Sequence, residues 1–525
     1  MGRSAEVVFV AGGLVRGASE GALWVFRGVP YAASPAEAGR WRRPQPPMSW
    51  DGVRDALSWG PVSPQPAPVH GLSIPGDPQS WEEDCLNLNI WTPGLDDRRR
   101  PVLVWFHGGS FTSGSGSSAI YRGDRLARRG DVAVVTFNYR LGALGLLSHP
   151  ALREEDSQVC GNWAIYDQMA ALEWVHEHID RFGGDPQNVT VFGESAGAMS
   201  IAALMSSSAP GTLFHRAVLQ SGPPATASAQ WAAARAERFA ALAGVDLSRG
   251  LDRASMQRLE PQELVRAGQE LGEERSAEAG LLLPFLPVVD GDLLSRPPAD
   301  AISEGATARV PLLVGTTRDE AALFVQMAPA LRDLDMAGAI RRVRRIANDG
   351  AEALCDAYRD ARETRGEPAS PRDLLIACIT DYVFRLPSLV LATSSYKHQP
   401  ETFAYLFTLE SPYLGGVFGS SHGLDIPFVF GTLEERIIGM FSGSGPRALE
   451  LSGAMQQAWL AFARTGNPSC DAVGDWPAYD PLRRPTMVFG PGGGIEEDPR
   501  RPERQAWDEV GIDVSGGHHH EIRRA

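Results

Sequence analysis

Ser195 stands in Gly193-Glu194-Ser195-Ala196-Gly197, between an apolar run, Val189-Thr190-Val191-Phe192, and a helix-like one, Ala198-Met199-Ser200-Ile201-Ala202-Ala203-Leu204-Met205. A serine with glycine two residues to either side, at a strand-to-helix junction, describes a nucleophile elbow. The glycines let the chain turn sharply, so the hydroxyl stands clear above the strand ends. The helix that follows aims backbone N–H groups where negative charge develops during acyl transfer. The same five-residue pattern recurs as Gly419-Ser420-Ser421-His422-Gly423. No strand-like run leads directly into that copy, and Pro427 prevents a long helix after it. Context selects Ser195 over Ser421.

A serine nucleophile needs a base, and histidine serves because its pKa lies near neutrality. With a nucleophile elbow the chain order is serine, then acid, then histidine. Of the eleven histidines, His70, His107, His149, His176 and His178 precede Ser195 and His215 follows it too closely. His398 sits in a polar turn and His518–His520 in the tail, which leaves His422, in a Gly-flanked loop between Thr402–Phe407 and Ile426–Phe430. The acid should follow a strand between Ser195 and His422. Asp319 and Glu320, just beyond Val314-Gly315-Thr316-Thr317-Arg318, both qualify. Residue types leave the pair open, since a helix N-terminus would also favour carboxylates there. Asp290 and Asp292 mark a turn, and Asp425 is too near His422 to be favoured. For the oxyanion, Ala196 supplies one N–H. The Gly-rich loop His107-Gly108-Gly109-Ser110-Phe111, after an earlier strand, fits the other donors.

Strands buried on both faces must position these groups. Pro101–Phe106, Asp131–Asn138, Val189–Phe192, Arg216–Gln220 and Val310–Val314 are short apolar runs of the kind found in parallel sheets. Between them, Trp163 to about Phe182 has helical periodicity, stopped by Gly183-Gly184-Asp185-Pro186. Strands alternating with helices, with the chemical residues at strand C-termini, predict an α/β fold with a large, mostly parallel, doubly wound sheet. Residues of about 225–280 and 320–400 predict helical excursions above the sheet's C-terminal edge, walling a gorge.

The chain has 525 residues, 43% hydrophobic and 22% charged, with a net charge of −15. With no linker, charge block or repeat, one domain spanning 1–525 is expected rather than several. The acidic balance argues against nucleic acid or an anionic membrane as partner. Arg341-Arg342-Val343-Arg344-Arg345 alternates with Ile340, Val343 and Ile346 as a solvated helix face. Val7–Val10 reads as a first strand, not a signal peptide, and no run reaches the length of a transmembrane helix. Five cysteines, few and without metal-ligand spacing, suit reduced thiols in a cytoplasmic protein. Nothing calls for a metal or a cofactor.

Taken together these residues resemble the type-B carboxylesterase family, which holds bacterial para-nitrobenzyl esterases and the cholinesterases. The stretches that carry the resemblance are Phe26-Arg27-Gly28-Val29-Pro30-Tyr31-Ala32, Glu83-Asp84-Cys85-Leu86-Asn87-Leu88-Asn89-Ile90, the His107 loop and Asn138-Tyr139-Arg140-Leu141-Gly142. Phe182–Thr190 running into the elbow, Asp319-Glu320, His422–Phe430 and Phe462–Pro468 complete it. The resemblance implies an α/β-hydrolase fold, Glu320 as the triad acid, and an oxyanion hole of Gly109, Ser110 and Ala196. It implies a serine carboxylic-ester hydrolase acting on small-molecule esters, as a monomer or weak homo-oligomer. The alternatives are an amidase or carbamate hydrolase with the same triad, or a non-catalytic binding protein on this fold, which an intact Ser, acid and His disfavours. Three departures stand out. Ser110 replaces a frequent glycine. No cysteine precedes Cys85 to form the bridge of secreted relatives. Pro75 stands where cholinesterase-like relatives place a tryptophan, Trp81 being nearest.

Overall fold

The computed structural model describes residues 5–67, 80–154, 158–207, 213–279, 283–307 and 309–514. His70, Pro75 and His518–His520 lie outside the described residues. In chain order the strands are β1 (Ala5–Val10), β2 (Gly13–Glu20), β3 (Leu23–Pro30), β4 (Val53–Asp55), β5 (Asn87–Thr92), β6 (Arg100–Phe106), β7 (Ala133–Phe137) and β8 (Gly184–Glu194). They continue as β9 (Arg216–Gln220), β10 (Ala227–Ser228), β11 (Val288–Val289), β12 (Leu312–Thr317), β13 (Thr402–Phe407), β14 (Pro485–Phe489) and β15 (Gly494–Glu497). All but β10 and β11 join one 13-stranded sheet, ordered β1-β2-β3-β5-β7-β6-β8-β9-β12-β13-β14-β15, with β4 beside β2. From β7 to β14 neighbours are parallel, and the strands at both edges are antiparallel. This is the α/β-hydrolase sheet the resemblance implied.

The apolar runs alternate between two cores because successive side chains of a strand face opposite ways. Val102, Val104 and Phe106 of β6 join Trp163, Leu172 and Ile201 on one face. Leu103 and Trp105 join Leu126, Trp459 and Phe462 on the other. Burial on both sides explains why these strands read as continuous hydrophobic runs rather than alternating ones. A third cluster, with Leu354, Tyr358, Leu374 and Trp507, unites the second helical excursion with the C-terminal helix Arg501–Val510.

Three expectations need correction. Strand β8 begins at Gly184, not Val189, because the ladder with β6 contains a register shift that pairs Arg100 with Gly184. Strand β12 passes Gly315 and runs to Thr317, since Gly315 pairs with Tyr405 and the Tyr405 ring occupies the space above it. The stretch Pro371–Tyr396 is long and apolar enough to cross a membrane by composition, although no such run was expected. It is mostly buried, and among its neighbours are strands β12 and β13. Its apolar character is that of a core helix. The helix expected over 163–182 is α-helical to His178 and then tightens to a 3₁₀ turn, Ile179–Phe182.

Candidate active site

Ser195 joins β8 to the helix Ala196–Met205, with φ 53° and ψ −123°. A non-glycine residue there is strained by about 1–3 kcal/mol. The surroundings enforce it: Ser195 N–H donates to Gln220 O at 2.9 Å, and Met199 N–H to Ser195 O at 2.9 Å. The second glycine of the motif is required by close approach, because a Cβ on Gly197 would collide with the Phe106 carbonyl on β6. Ser195 thus sits at the C-terminal end of the central strand, at the first turn of a buried helix.

His422 and Glu320 meet beneath it. His422 Nδ1 lies 2.6 Å from Glu320 Oε2, and Thr317 N–H donates to Glu320 Oε1 at 2.7 Å. An ionised carboxylate only accepts, so Nδ1 carries the proton and Nε2 faces the other way. The Phe324 and Phe384 rings lie 5.4 and 4.9 Å from the imidazole. No hydrogen bond joins His422 to the Ser195 hydroxyl here; contacts between nucleophile and base commonly tighten only around substrate. Asp319 points elsewhere. Its Oδ2 accepts Ser420 N–H at 2.9 Å and the Arg318 guanidinium at 2.7 Å. The reading of such a carboxylate as a solvated helix-start residue is corrected, since the helix begins only at Ala322 and Asp319 is buried, clamping the loop before His422. Asp425 accepts from Tyr405 OH at 2.7 Å and Gln220 Nε2 at 3.0 Å.

Glu194, inside the elbow motif, was not singled out from the sequence as a charge acting on the base. Its Oε1 lies 3.0 Å from His422 Nε2, close enough for an ion pair but without the alignment of a hydrogen bond. Burial, aided by the charges of Asp425 and Glu320 and opposed by His422, pushes the Glu194 carboxyl up to about 7. Burial acts to lower the His422 pKa. The charges of Glu194 and Glu320, the Glu320 hydrogen bond and Asp425 outweigh it and bring it to about 9. A base must be neutral at Nε2, so every negative charge nearby delays its activation as pH rises. Glu194→Gln removes one such charge without changing the side chain's shape. The acid limb of kcat/KM should move to lower pH by about one unit or more. An unmoved limb in a pH–rate profile would show that Glu194 does not act on the base.

The His107 loop reaches the same place from the end of β6. Gly109, Ser110 and Phe111 have φ of 114°, 57° and 60°. Thr112 and Ser113 N–H both donate to Gly109 O at 3.0 Å, closing a tight turn in which a Cβ on Gly109 would strike the Ser113 carbonyl. The Gly109 and Ser110 N–H groups have no acceptor among the described residues, and Ala196 N–H opens a helix. These are the donors an oxyanion requires. His107 itself stacks on Tyr139 at 4.3 Å, and burial pulls its pKa down to about 4, so it props the loop as a neutral ring.

The carboxylesterase family model matches residues 4–507. The chain is 36% identical over 504 residues to the para-nitrobenzyl esterase of Bacillus subtilis (strain 168), covering 95% of this chain and 98% of that protein. It is 34% identical over 508 residues to a phenmedipham hydrolase of Pseudarthrobacter oxydans, again covering 95% and 98%. A solved carboxylesterase of Geobacillus stearothermophilus superposes with a TM-score of 0.83 at 38% identity, over 95% of this chain and 99% of that one.

Proposed function

The chain belongs to the carboxylesterase family and is a carboxylesterase, and on that premise we propose that Ser195, His422 and Glu320 carry its reaction. The observation that carries the reading is the 2.6 Å contact between His422 Nδ1 and Glu320 Oε2, beside a serine held at an elbow. His422 Nε2 takes the Ser195 proton as Oγ attacks the ester carbonyl, forming the Oγ–C bond. The oxyanion rests on the N–H groups of Gly109, Ser110 and Ala196. As the tetrahedral intermediate collapses, the C–O bond to the alcohol breaks and His422 returns the proton to the leaving oxygen. Water then repeats the sequence on the acyl-enzyme, releasing acid and free Ser195. Glu320 holds the imidazole in the working tautomer and stabilises its cation.

Similarity to a phenmedipham hydrolase supports a second reading, carbamate cleavage by the same triad. Purified protein assayed on para-nitrophenyl esters of increasing acyl length, beside matched carbamates and anilides, separates the two. Faster turnover of esters supports the first reading, and faster turnover of carbamates the second.

The same proposal places the enzyme in the cytoplasm, acting on small molecules as a monomer or weak homo-oligomer. Its support is that Cys85, Cys160, Cys355, Cys378 and Cys470 are all free thiols. Reductant should leave the esterase rate and the Tm unchanged. A marked fall in Tm on reduction, read by differential scanning fluorimetry, would contradict it.

A further inference from the structure

Behind the acid and the base runs the helix Pro371–Thr380, which opens into a π-turn, Asp381–Arg385, before continuing as Leu386–Tyr396. A π-turn carries one residue more than the regular helix and is tolerated where something holds it, frequently at functional sites. Here Asp381 and Arg385, both buried, hold it: Arg385 Nε donates to Asp381 Oδ1 at 2.6 Å and its NH2 group to Oδ2 at 2.7 Å. Tyr358 OH also donates to Asp381, and Trp507 Nε1–H to Tyr358 OH at 2.7 Å, tying the turn to the C-terminal helix.

The two ends of this turn touch the two halves of the acid–base couple. Thr380 Oγ1 accepts the N–H of Ala321, the residue after Glu320, at 3.1 Å. Phe384 lies with its ring centroid 4.9 Å from that of His422. Thr380 is 1% exposed and Phe384 4%, so neither contact competes with water. Deleting the extra residue would rotate everything beyond the turn by about 100° relative to Thr380, and both contacts would not survive together.

We propose that Thr380 and Phe384 are positioning residues for the Glu320–His422 couple, kept in register by the π-turn between them. The inference rests on the triad assigned above. Thr380 fixes the backbone that aims Glu320, and Phe384 limits the swing of the imidazole, so the 2.6 Å contact between them is held from both sides. The groups facing His422 are Glu194, Glu320 and Asp425, with Phe324 and Phe384 as its apolar walls. Loosening Glu320 weakens the support of the imidazolium, so the base should titrate lower.

Thr380→Val keeps the shape and removes the acceptor; Thr380→Ser restores it. For Thr380→Val, kcat on a short-chain ester should fall roughly tenfold with KM within about twofold. The acid limb of kcat/KM should shift to lower pH. The downfield proton resonance of His422 Nδ1–H should move upfield or broaden, and Thr380→Ser should restore all three. Should Thr380→Val not accumulate as folded protein, Thr380→Ala is read in the same way. A valine or alanine variant that loses only thermal stability, with its acid limb and downfield resonance unmoved, overturns the inference. Glu320→Gln assayed alongside separates the two levels. Retained turnover there means that the triad reading fails, whereas its loss beside an unaffected Thr380 variant means that only the positioning role fails.

Discussion

Ser195→Ala should lose about 10⁴–10⁶-fold in kcat, because nucleophile and base act as one unit and removing either forfeits the covalent route. A residue of turnover above background should survive, since the N–H groups of Gly109, Ser110 and Ala196 can still stabilise an oxyanion formed by water. The competing serine is Ser421. It is fully buried, it lies in the loop before His422, and its Oγ has no hydrogen-bond partner. Ser195 is placed at a positive φ between strand and helix, where access and an adjacent helix terminus coincide. Peptide mapping after treatment with an organophosphate should therefore place the adduct on Ser195 alone. An adduct on Ser421, or Ser195→Ala with full activity, would overturn the assignment.

Legibility followed burial and the reach of each interaction. Strands β9 and β13 could be bounded to the residue because both are apolar on both faces and end at turn residues. Strand β8 could not, because its first residues are polar and are strand only by virtue of the register shift opposite Arg100. The antiparallel edge from β1 to β5 was legible only as a first strand at Val7–Val10, since pairing partners are a non-local property. In the site, the order of serine, acid and histidine picked out Ser195 and His422, while local pattern left Asp319 and Glu320 equivalent. Their difference lies in direction: one carboxylate turns to Ser420 N–H, the other to the imidazole. Glu194 was hidden for the same reason, standing at the variable position of the elbow motif. The π-turn at Asp381–Arg385 had no readable signal, because its cause is a tertiary ion pair with Tyr358 and the C-terminal helix behind it.

The adjacent carboxylates are separable by a paired substitution. Glu320→Gln removes the charge that supports the imidazolium, and the amide can present an N–H to Nδ1, stabilising the wrong tautomer. By the behaviour of buried triad acids, kcat should fall on the order of 10³–10⁴-fold in a protein that still folds. Asp319→Asn is a different experiment. The amide oxygen can still accept Ser420 N–H, but the ion pair with Arg318, 2.7 Å away, is lost and the buried guanidinium keeps only Glu410, at 2.6 Å. That should cost about 1–3 kcal/mol of stability, more than an exposed helix-start carboxylate would. Turnover should fall far less than for Glu320→Gln, because Asp319 reaches His422 only through the loop it clamps. Circular dichroism checks folding, urea midpoints the stability, and kcat on a short-chain ester the chemistry. If Asp319→Asn abolishes turnover in a folded protein while Glu320→Gln spares it, the two roles are reversed. If both variants turn over normally, the buried contact between Glu320 and His422 is structural and the acid must be sought elsewhere.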